Sequence, residues 1–505
     1  MIGAVRRRVW WPLALLTLLA AGPACAQKSE DRLRIAWRDA VPDVDPYHNT
    51  LRTGLVVASH VWDTLIYRDP DTFQLRPLLA TSWRYVDDTT IEFELRTGVL
   101  FHDGSPFTAD DVAYTVRQAM DSARVAVPSN YSFMAGAEVV DPTHVRIKLK
   151  RVFPAALEYI ATTLPILPGA TRTAAGDSFS QHPVGTGPYV ITSVTPERIE
   201  MERNPGYFEG PKGRPRINHI SIDEVANGAA ELSALLEGRA DWIWQSGPDA
   251  LDAVARVPGL QVLRTESMRV GYMNMDATGR TGVGNPLTLP AVRQAVAMSI
   301  DRAALARQFM PGGARVLDAP CFPSQFGCDQ AAAVHYDYDP NRARQMLADA
   351  GFPNGFDTRL VGYLLPPLQV AVAKYLAVVG VRVAVSSLST AEAVKYSARG
   401  ENPLDCGSWG SYTINDVSAF LPYFFTGGDE DYARDPEVVR LLADASGTTN
   451  ADERRRSYSA AIRRITEQAY MLPLFTFVAN YSMTRQLSFK PSLDELPRFY
   501  LSSWR

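Results

Sequence analysis

The chain has 505 residues, of which 46% are hydrophobic and 21% are charged, and its formal net charge is −4 at pH 7. A chain of this length can bury several hydrophobic cores, and we expect it to divide into two or three domains. Because it is mildly acidic and has no basic stripe, it lacks the positive surface that nucleic acids and anionic membranes attract, and we expect neither as a partner.

The N-terminus has the order of a secretory signal peptide. Three arginines at positions 6–8 precede an apolar run over residues 9–21, and Ala24-Cys25-Ala26 forms a small-residue cleavage site. We therefore predict that residues 1–26 are removed and that the mature chain is periplasmic. An uncleaved membrane anchor and a lipid-modified Cys25 are the alternatives. No later run of about 20 apolar residues occurs, so we expect no further membrane span.

The next part of the chain predicts a sheet and a helix. Apolar and charged residues alternate over residues 91–96 and again over residues 145–150. Each stretch follows a turn, Asp87-Asp88 or Asp141-Pro142, which favours a partly exposed antiparallel sheet. Between the two stretches, Thr108-Ala109-Asp110-Asp111 has the spacing of a helix capping box.

Helices and strands alternate in the second half of the chain. The sequence predicts one helix over residues 290–300 and another over residues 339–351, each with a proline at its start. Alternating valines over residues 381–385 predict a strand, and residues 473–483 predict a buried strand close to the C-terminus. This pattern indicates an α/β fold.

Three cysteines remain after the predicted cleavage, an odd number for an oxidising compartment. Cys321 and Cys328 enclose a loop that contains proline and glycine, which favours a disulfide between them. Cys406 is then expected to be a buried free thiol. A bridge from Cys406 to either of the other two is the alternative.

The sequence contains no common catalytic or metal-binding motif. The G-x-S-x-G, H-E-x-x-H and Walker A patterns are absent, and the seven histidines are scattered singly. Residues 185–188, Gly-Thr-Gly-Pro, predict a tight turn into a strand, since Pro188 has no N–H to offer an anion. The acids at 110–111 are interpreted as helix-capping residues, and those at 429–431 as part of a solvated loop. We expect no cofactor, no metal and no enzymatic activity.

Short motifs run in series through most of the chain. In order they are Pro77-Leu78-Leu79-Ala80-Thr81-Ser82-Trp83, Phe101-His102-Asp103-Gly104-Ser105-Pro106-Phe107-Thr108-Ala109-Asp110-Asp111-Val112, Val184-Gly185-Thr186-Gly187-Pro188-Tyr189, Val292-Arg293-Gln294-Ala295, Tyr338-Asp339-Pro340 and Ala350-Gly351-Phe352-Pro353. Together they resemble, in the same order, the landmarks of bacterial extracellular solute-binding protein family 5. This family comprises the periplasmic oligopeptide, dipeptide and nickel-chelate binding proteins of ABC transporters.

The resemblance implies an α/β, two-lobed periplasmic-binding-protein fold of type II, in the large peptide-binding subclass, with an extra α+β subdomain inserted in lobe I. It also implies chain crossovers between the lobes near residues 266–275 and 473–483. The boundaries that we predict are residues 27–51, 184–268 and 483–505 for lobe I, residues 52–183 for the inserted subdomain and residues 269–482 for lobe II.

The resemblance also locates a candidate ligand site. In peptide-binding relatives a Trp is followed three residues later by an Asp, whose carboxylate holds the α-ammonium of the peptide. Here Trp409 matches the Trp, and Tyr412 stands at the Asp position. A phenol is neutral near pH 7 and cannot replace that charge. Trp409 and Tyr412 therefore predict an aromatic platform for a less charged or bulkier ligand.

Four further residues are candidates for ligand contact. Asp416 could reach the site from another register, and a helix N-cap before Val417 is its equal alternative. Trp244 and Gln245 follow a strand-like segment, and Tyr131 lies in a polar turn. For each of these residues, packing in the core is the competing explanation.

The implied function is that of an extracytoplasmic solute-binding component of an ABC importer. It would capture a peptide or peptide-like molecule between two closing lobes and deliver it, as a monomer, to an inner-membrane permease with its ATPase. One alternative is a secreted hydrolase on the same scaffold. The other is a binding or sensory protein for a non-peptide solute such as a metal chelate, an opine, a saccharide or a lipid-like ligand.

Overall fold

A computed structural model describes residues 31–505 apart from residues 40, 42 and 50. The predicted signal peptide, residues 1–26, lies outside the described residues. Within the described part of the chain, no helix is long and apolar enough to cross a membrane.

The described residues form eighteen strands of very different lengths. In chain order they are β1 (Arg32–Trp37), β2 (Ile66–Arg68), β3 (Leu75–Pro77), β4 (Ala80–Asp87), β5 (Thr90–Leu95), β6 (Met134–Asp141), β7 (His144–Leu149), β8 (Tyr189–Val194), β9 (Arg198–Arg203), β10 (His219–Glu224), β11 (Trp242–Trp244), β12 (Leu260–Met275), β13 (Asp357–Gly362), β14 (Arg382–Ser387), β15 (Leu404–Trp409), β16 (Met471–Thr484), β17 (Leu487–Ser488) and β18 (Ser503–Trp504).

Fourteen α-helices alternate with these strands in the described residues. In chain order they are α1 (Arg52–Val61), α2 (Ala109–Met120), α3 (Ala156–Thr163), α4 (Gly169–Ala175), α5 (Gly228–Leu236), α6 (Pro248–Ala255), α7 (Pro290–Met298), α8 (Arg302–Phe309), α9 (Pro340–Asp349), α10 (Pro366–Val378), α11 (Thr390–Ala398), α12 (Leu421–Phe425), α13 (Pro436–Ser446) and α14 (Ala451–Glu467). Short 3-10 turns connect several of them.

A ten-stranded mixed sheet runs through the molecule in the order β14-β13-β15-β12-β16-β11-β1-β10-β9-β8. β1 pairs in parallel with β10 and β11, and β13 pairs in parallel with β14 and β15. The long antiparallel pair of β12 and β16 joins these two parallel groups. Two α/β units therefore share a central pair of strands.

The hydrophobic cores of the two units separate along β12 and β16. Tyr481 and Met483 of β16 pack with the core around β1, whereas Leu472 and Leu474 pack with the core around β13. Between these positions the ladder of β12 and β16 has two register shifts, around Val270. The crossovers implied near residues 266–275 and 473–483 coincide with these long strands.

A separate four-stranded antiparallel sheet has the order β4-β5-β7-β6. Ile91 lies opposite Ile147, and Phe93 lies opposite Val145, so the alternation that predicted this sheet places all four side chains in the core. The predicted antiparallel sheet is confirmed. The helix α2 begins at the predicted capping box, in which the backbone N–H of Thr108 donates to the Asp111 carboxylate at 2.9 Å.

The turn predicted at residues 185–188 is confirmed, with β8 beginning at Tyr189. Gly185 and Gly187 lie against the backbone of Val61, where a Cβ atom at either position would collide with the Val61 carbonyl. These glycines therefore permit close packing of the turn on the end of α1.

Two local predictions differ from the structure. The helix predicted over residues 290–300 ends at Met298, because the Asp301 carboxylate accepts the Ala304 N–H at 2.8 Å and caps the next helix. The acidic segment 429–431 is not simply a solvated loop. Asp431 is fully buried and accepts three backbone N–H groups, from Gly427 at 2.8 Å and from two residues that follow it.

The cysteines adopt the arrangement that the sequence favoured. Cys321 and Cys328 are joined by a disulfide, and Cys406 is a buried free thiol on β15. Burial raises the pKa of the Cys406 thiol, so this group stays protonated near neutral pH.

Candidate functional site

A cavity of about 130 Å³ lies between α1, α3, the 3-10 turn Pro128–Tyr131 and the C-terminal residues 496–500. At the roughly 30 Å³ that a water molecule takes in the liquid, it has room for about four of them. Much of its wall is aromatic, with rings contributed by Tyr47, Trp62, Tyr67, Tyr131 and Tyr500. Such walls provide a large apolar contact area with a few fixed polar positions.

Two of the tyrosine hydroxyls of the wall donate to backbone carbonyls. The Tyr47 hydroxyl donates to the Pro165 carbonyl at 2.7 Å, and the Tyr131 hydroxyl donates to the Thr163 carbonyl at 2.8 Å. Burial raises the pKa of both phenols, so both are neutral. Tyr131, a predicted contact residue, thus lines the cavity with its hydroxyl already engaged.

Arg68 connects the cavity wall to residues 411–415, which follow β15. Its buried guanidinium donates to the Thr413 carbonyl and lies 3.3 Å from the Glu158 carboxylate. The same Glu158 oxygen accepts the Asn415 N–H at 3.2 Å. Burial raises the pKa of Glu158, and the charge of Arg68 opposes this shift. The two halves of the molecule therefore meet at Arg68 and Glu158.

Asp494 lies behind Arg68 and is fully enclosed by charged partners. Its carboxylate is 2.8 Å from Arg68 and 2.7 Å from Arg498, and it accepts the Ser492 hydroxyl at 2.7 Å. Burial alone would raise the pKa of Asp494, but the two guanidiniums hold it well below its ordinary value. Both arginines of the cavity wall are thus fixed by one ionised carboxylate.

Lys212 is the third cation of the cavity wall and has its own buried partner. Its ammonium lies 2.7 Å from the Asp63 carboxylate and donates to the Ser59 carbonyl at 2.8 Å. Asp63 also accepts the hydroxyls of Tyr207 and Thr186. Burial lowers the pKa of Lys212, and Asp63 opposes this shift.

A second group of charges lies beside Gly410, at the end of β15. Arg52 and Arg269 both contact Glu495, at 3.3 Å and 3.2 Å. Burial raises the pKa of Glu495, but the two arginines outweigh it and bring the pKa to about 2. A Cβ atom on Gly410 would lie about 3.4 to 3.5 Å from both guanidiniums, so glycine leaves this position open.

The predicted aromatic platform is only partly described. The Trp409 ring stacks on Tyr423 with centroids 4.5 Å apart, and its indole N–H donates to the Ala419 carbonyl at 2.9 Å. Tyr412 lies on the 3-10 turn Ser411–Thr413, and its side chain lies outside what the structure describes. Ligand contact by either residue stays a prediction.

Asp416 has the geometry of the N-cap alternative. Its carboxylate accepts the Ser418 N–H at 2.9 Å and lies 2.7 Å from the buried guanidinium of Arg454. Both carboxylate oxygens are therefore engaged within the second half of the chain, and ligand contact by Asp416 stays a prediction.

Trp244 and Gln245 differ in their surroundings. Trp244 is buried and stacks on Trp37 with ring centroids 5.6 Å apart. Gln245 is exposed, with its N–H donating to the Asn480 carbonyl at 2.8 Å and its own carbonyl accepting from Arg38. Packing accounts for the contacts of Trp244, whereas Gln245 retains an accessible amide.

Three residues of the predicted segments have left-handed backbone conformations. The φ angles are +52° at Gln245, +51° at Ser411 and +65° at Thr413. Such angles are costly for residues with a side chain, and they concentrate at functional sites. Of the three, Thr413 lines the cavity.

Sequence reasoning missed several residues that define the site geometry, among them Arg52, Arg68, Asn130 and Arg269. The arginines are widely separated in sequence, and none belongs to a recognisable pattern. Asn130 precedes the predicted Tyr131 on the same turn, and that proximity was the only available signal.

Among the described residues, no group of three or more histidine, cysteine, aspartate or glutamate side chains could hold a metal ion. The buried carboxylates of the site are paired with arginines or lysine instead. The chemistry that these residues offer is therefore ionic and hydrogen-bonding recognition.

Comparison with known proteins identifies the family. Residues 74–432 match the family described as bacterial extracellular solute-binding proteins, family 5 Middle. The glutathione-binding protein GsiB of Escherichia coli O1:K1 / APEC is 27% identical over 497 residues, which cover 94% of each chain.

Solved structures share the fold over the whole described chain. The periplasmic binding protein DppA from Helicobacter pylori, in complex with the peptide STSA, has a TM-score of 0.77 at 20% identity and covers 95% of this chain and 99% of its own. The dipeptide binding protein from Pseudoalteromonas sp. SM9913, in complex with Met-Leu, has a TM-score of 0.78 at 20% identity and covers 94% and 100%. The two-lobed type II fold expected from the motifs is confirmed. The chain belongs to the bacterial extracellular solute-binding proteins of family 5, and it is a binding protein and not an enzyme.

Proposed function

We propose that this protein captures a small peptide-like solute with a free carboxylate for an ABC importer. The carrying observation is the balance of buried and partly buried charge around the cavity and Gly410. Five cationic side chains meet four carboxylates there, namely Arg52, Arg68, Lys212, Arg269 and Arg498 against Asp63, Glu158, Asp494 and Glu495. One further anionic group would balance the site.

The surplus cation lies at Arg52 and Arg269. These two guanidiniums share the single carboxylate of Glu495, and Arg52 has a lowered pKa because it is buried and because Arg269 repels its charge. A ligand carboxylate beside Gly410 would relieve that repulsion and accept charge-assisted hydrogen bonds. This favours an anionic end group on the solute.

The ligands of related proteins and the size of the cavity both favour a peptide-like solute. The curated relative binds glutathione, and the two solved neighbours hold the peptides STSA and Met-Leu. A volume of about 130 Å³ with an aromatic wall suits part of a short peptide or of a derivative of comparable size.

We propose that the solute is captured when the two lobes close on it. We take lobe I as residues 27–51, 184–268 and 483–505, its inserted subdomain as 52–183 and lobe II as 269–482. The separation of the cores along β12 and β16 supports this division. A solute that contacts both lobes stabilises the closed arrangement through its differential affinity.

Export and delivery complete the proposal. A signal peptide over residues 1–26 would direct the chain to the periplasm, where the loaded monomer would meet an inner-membrane permease with its ATPase. The N-terminal arginines, apolar run and Ala24-Cys25-Ala26 site support export.

Native mass spectrometry of protein purified without refolding, followed by thermal unfolding with added solutes, tests the proposal. Glutathione or Met-Leu at about one hundred times its dissociation constant is expected to add about 2.7 kcal/mol to the free energy of unfolding. The C-terminal amide of Met-Leu, which lacks the carboxylate, is the matched control and is expected to have no such effect.

Variants locate the carboxylate. Arg269→Gln is expected to weaken binding of Met-Leu at least tenfold, because it removes a charge-assisted hydrogen bond. The exposed Arg315, paired with Glu266, provides the control variant Arg315→Gln, which is expected to bind normally. If neither peptide nor glutathione stabilises the wild type, the proposed solute class is wrong, while the family assignment stands.

A further inference from the structure

We propose that Asn130 recognises an amide group of the solute and so selects peptides over their ester analogues. This inference rests on the proposed function and assigns a specificity role to a residue of the cavity wall. Asn130 lies on the 3-10 turn Pro128–Tyr131, between Tyr131 and the proline that begins the turn.

The side-chain amide of Asn130 lacks a partner within the described part of the protein. The residue is only 9% exposed, and its amide borders the cavity. Its backbone N–H is satisfied by the Val127 carbonyl at 3.1 Å, but no described group bonds to the side chain. Its two N–H donors and its carbonyl acceptor are therefore open to whatever occupies the cavity. Native proteins rarely retain such a group unless a ligand or an ordered water meets it.

Most other polar side chains of the cavity wall already have a hydrogen-bond or ion-pair partner. Within the described residues, most polar side chains that line the cavity have a partner, whereas those of Asn130 and Thr413 have none. The Thr162 and Thr163 hydroxyls, for example, donate to helix carbonyls at 2.7 Å and 2.8 Å. Free hydrogen-bonding capacity is therefore concentrated at two residues.

These two residues come from different parts of the chain. Asn130 belongs to the region of the inserted subdomain, and Thr413 belongs to the turn after β15, where its carbonyl is held by Arg68. Thr413 is 3% exposed and has a left-handed backbone, which fixes it in place. A group bound between them would contact both halves of the molecule.

The chemistry of a primary amide identifies the preferred group. Asn130 offers two N–H donors and one carbonyl acceptor. A carboxylate or an ester supplies acceptors only and leaves the Asn130 carbonyl unpaired, whereas a peptide bond supplies both a carbonyl and an N–H. A site built to hydrogen-bond an N–H rejects analogues that lack it, because its own buried group is then left unpaired.

The test compares Met-Leu with its ester-linked analogue, in which an oxygen replaces the peptide N–H. Calorimetry on the wild type is expected to show at least tenfold tighter binding of the peptide. Asn130→Ala is expected to bind the peptide at least tenfold more weakly and to bind the two ligands equally. A purely structural role for Asn130 would weaken both ligands together and preserve the preference.

Two further variants provide a second test of Asn130 and a control on the same turn. Asn130→Asp keeps the shape and the acceptor of the side chain but loses its donors, so it is expected to weaken both ligands and to keep the preference for the peptide. It provides the test if Asn130→Ala does not fold. Ser129→Ala, at an exposed position on the same turn, is expected to behave as the wild type.

The outcomes separate this inference from the proposed function. A peptide preference that survives in Asn130→Ala, or unweakened binding of both ligands by Asn130→Asp, would overturn the role of Asn130 alone. Binding of neither ligand by the wild type would overturn the proposed function and this inference with it.

Discussion

Among single residues, some buried carboxylates are kept ionised by arginines, whereas another is kept protonated by burial. Asp494 and Glu495 are held ionised by arginines, which stabilise the contact between the C-terminal residues and the rest of the molecule. Asp405, on β15, has no cationic partner among the described residues. Burial and the nearby charge of Glu430 raise the pKa of Asp405 to about 8, although the neighbouring Asn402 side chain opposes them. This carboxyl is therefore protonated in the folded protein at pH 7.

Asp405 makes the stability of the protein depend on pH. In the unfolded chain its pKa returns to about 3.8, so between pH 4 and pH 8 the folded state binds a proton that the unfolded state does not. Asp405 is therefore expected to lower the free energy of unfolding as the pH rises through this range, by about 1.4 kcal/mol per pH unit. Asp405→Asn, which cannot ionise, is expected to show a weaker dependence.

Urea unfolding at pH 5, 6.5 and 8 measures this difference. Asp349→Asn changes an exposed carboxylate elsewhere in residues 269–482 and serves as the control, with the wild-type pH dependence expected. Equal pH dependence of Asp405→Asn and wild type would show that Asp405 is ionised in the folded protein.

At the scale of elements, the disulfide loop braces the segment that follows β15. The Phe326 N–H donates to the Asn415 carbonyl at 3.1 Å, and the Val417 N–H donates to the Phe326 carbonyl at 3.1 Å. The Gln325 amide adds a bond to the Ile414 carbonyl at 2.9 Å. The loop closed by the disulfide therefore holds residues 414–417 in place beside the cavity.

Removal of the disulfide is expected to loosen this segment. Cys321→Ser combined with Cys328→Ser frees a short loop and is expected to lower the free energy of unfolding by about 2 to 3 kcal/mol. Hydrogen exchange of the Phe326 and Val417 amides is expected to accelerate. Cys406→Ala removes a thiol without opening a crosslink and is expected to leave exchange at both amides unchanged. Unchanged hydrogen exchange at both amides in the double variant would show that the disulfide loop does not hold residues 414–417 in place.

At the scale of the whole molecule, the protein is the solute-binding component of an ABC importer, and its mechanism depends on how two α/β units move. They share β12 and β16, whose ladder is interrupted around Val270, and they touch again through Arg68 and Glu158. Interruptions in a shared strand pair are positions where small backbone changes reorient the parts on either side.

Solute binding is expected to make the protein more compact. A ligand that contacts both Asn130 and Thr413 shifts the population toward the closed state, whereas the free protein also populates open arrangements. Small-angle X-ray scattering is expected to give a smaller radius of gyration with saturating Met-Leu than without it. Met-Leu amide serves as the control and is expected to leave the radius unchanged. A radius that does not respond to a bound solute would rule out closure as the capture step.

The sequence by itself determined the family, the fold class and many element boundaries. The capping box at Thr108 and the turn at residues 185–188 depend on neighbours within a few positions, so local sequence encodes them. The alternation in β5 and β7 predicts their sheet because one face of each strand is buried.

Only the tertiary structure decided how the site is built. Arg68 pairs with Asp494 across 426 positions, and Asp416 is engaged by Arg454 across 38 positions, so no local pattern could distinguish a cap from a ligand contact. The burial of Asp431 and the unpartnered amide of Asn130 likewise depend on what packs around them. The reason is physical: charge pairing, burial and hydrogen-bond satisfaction are properties of the three-dimensional surroundings, whereas caps, turns and strand alternation arise within a few residues.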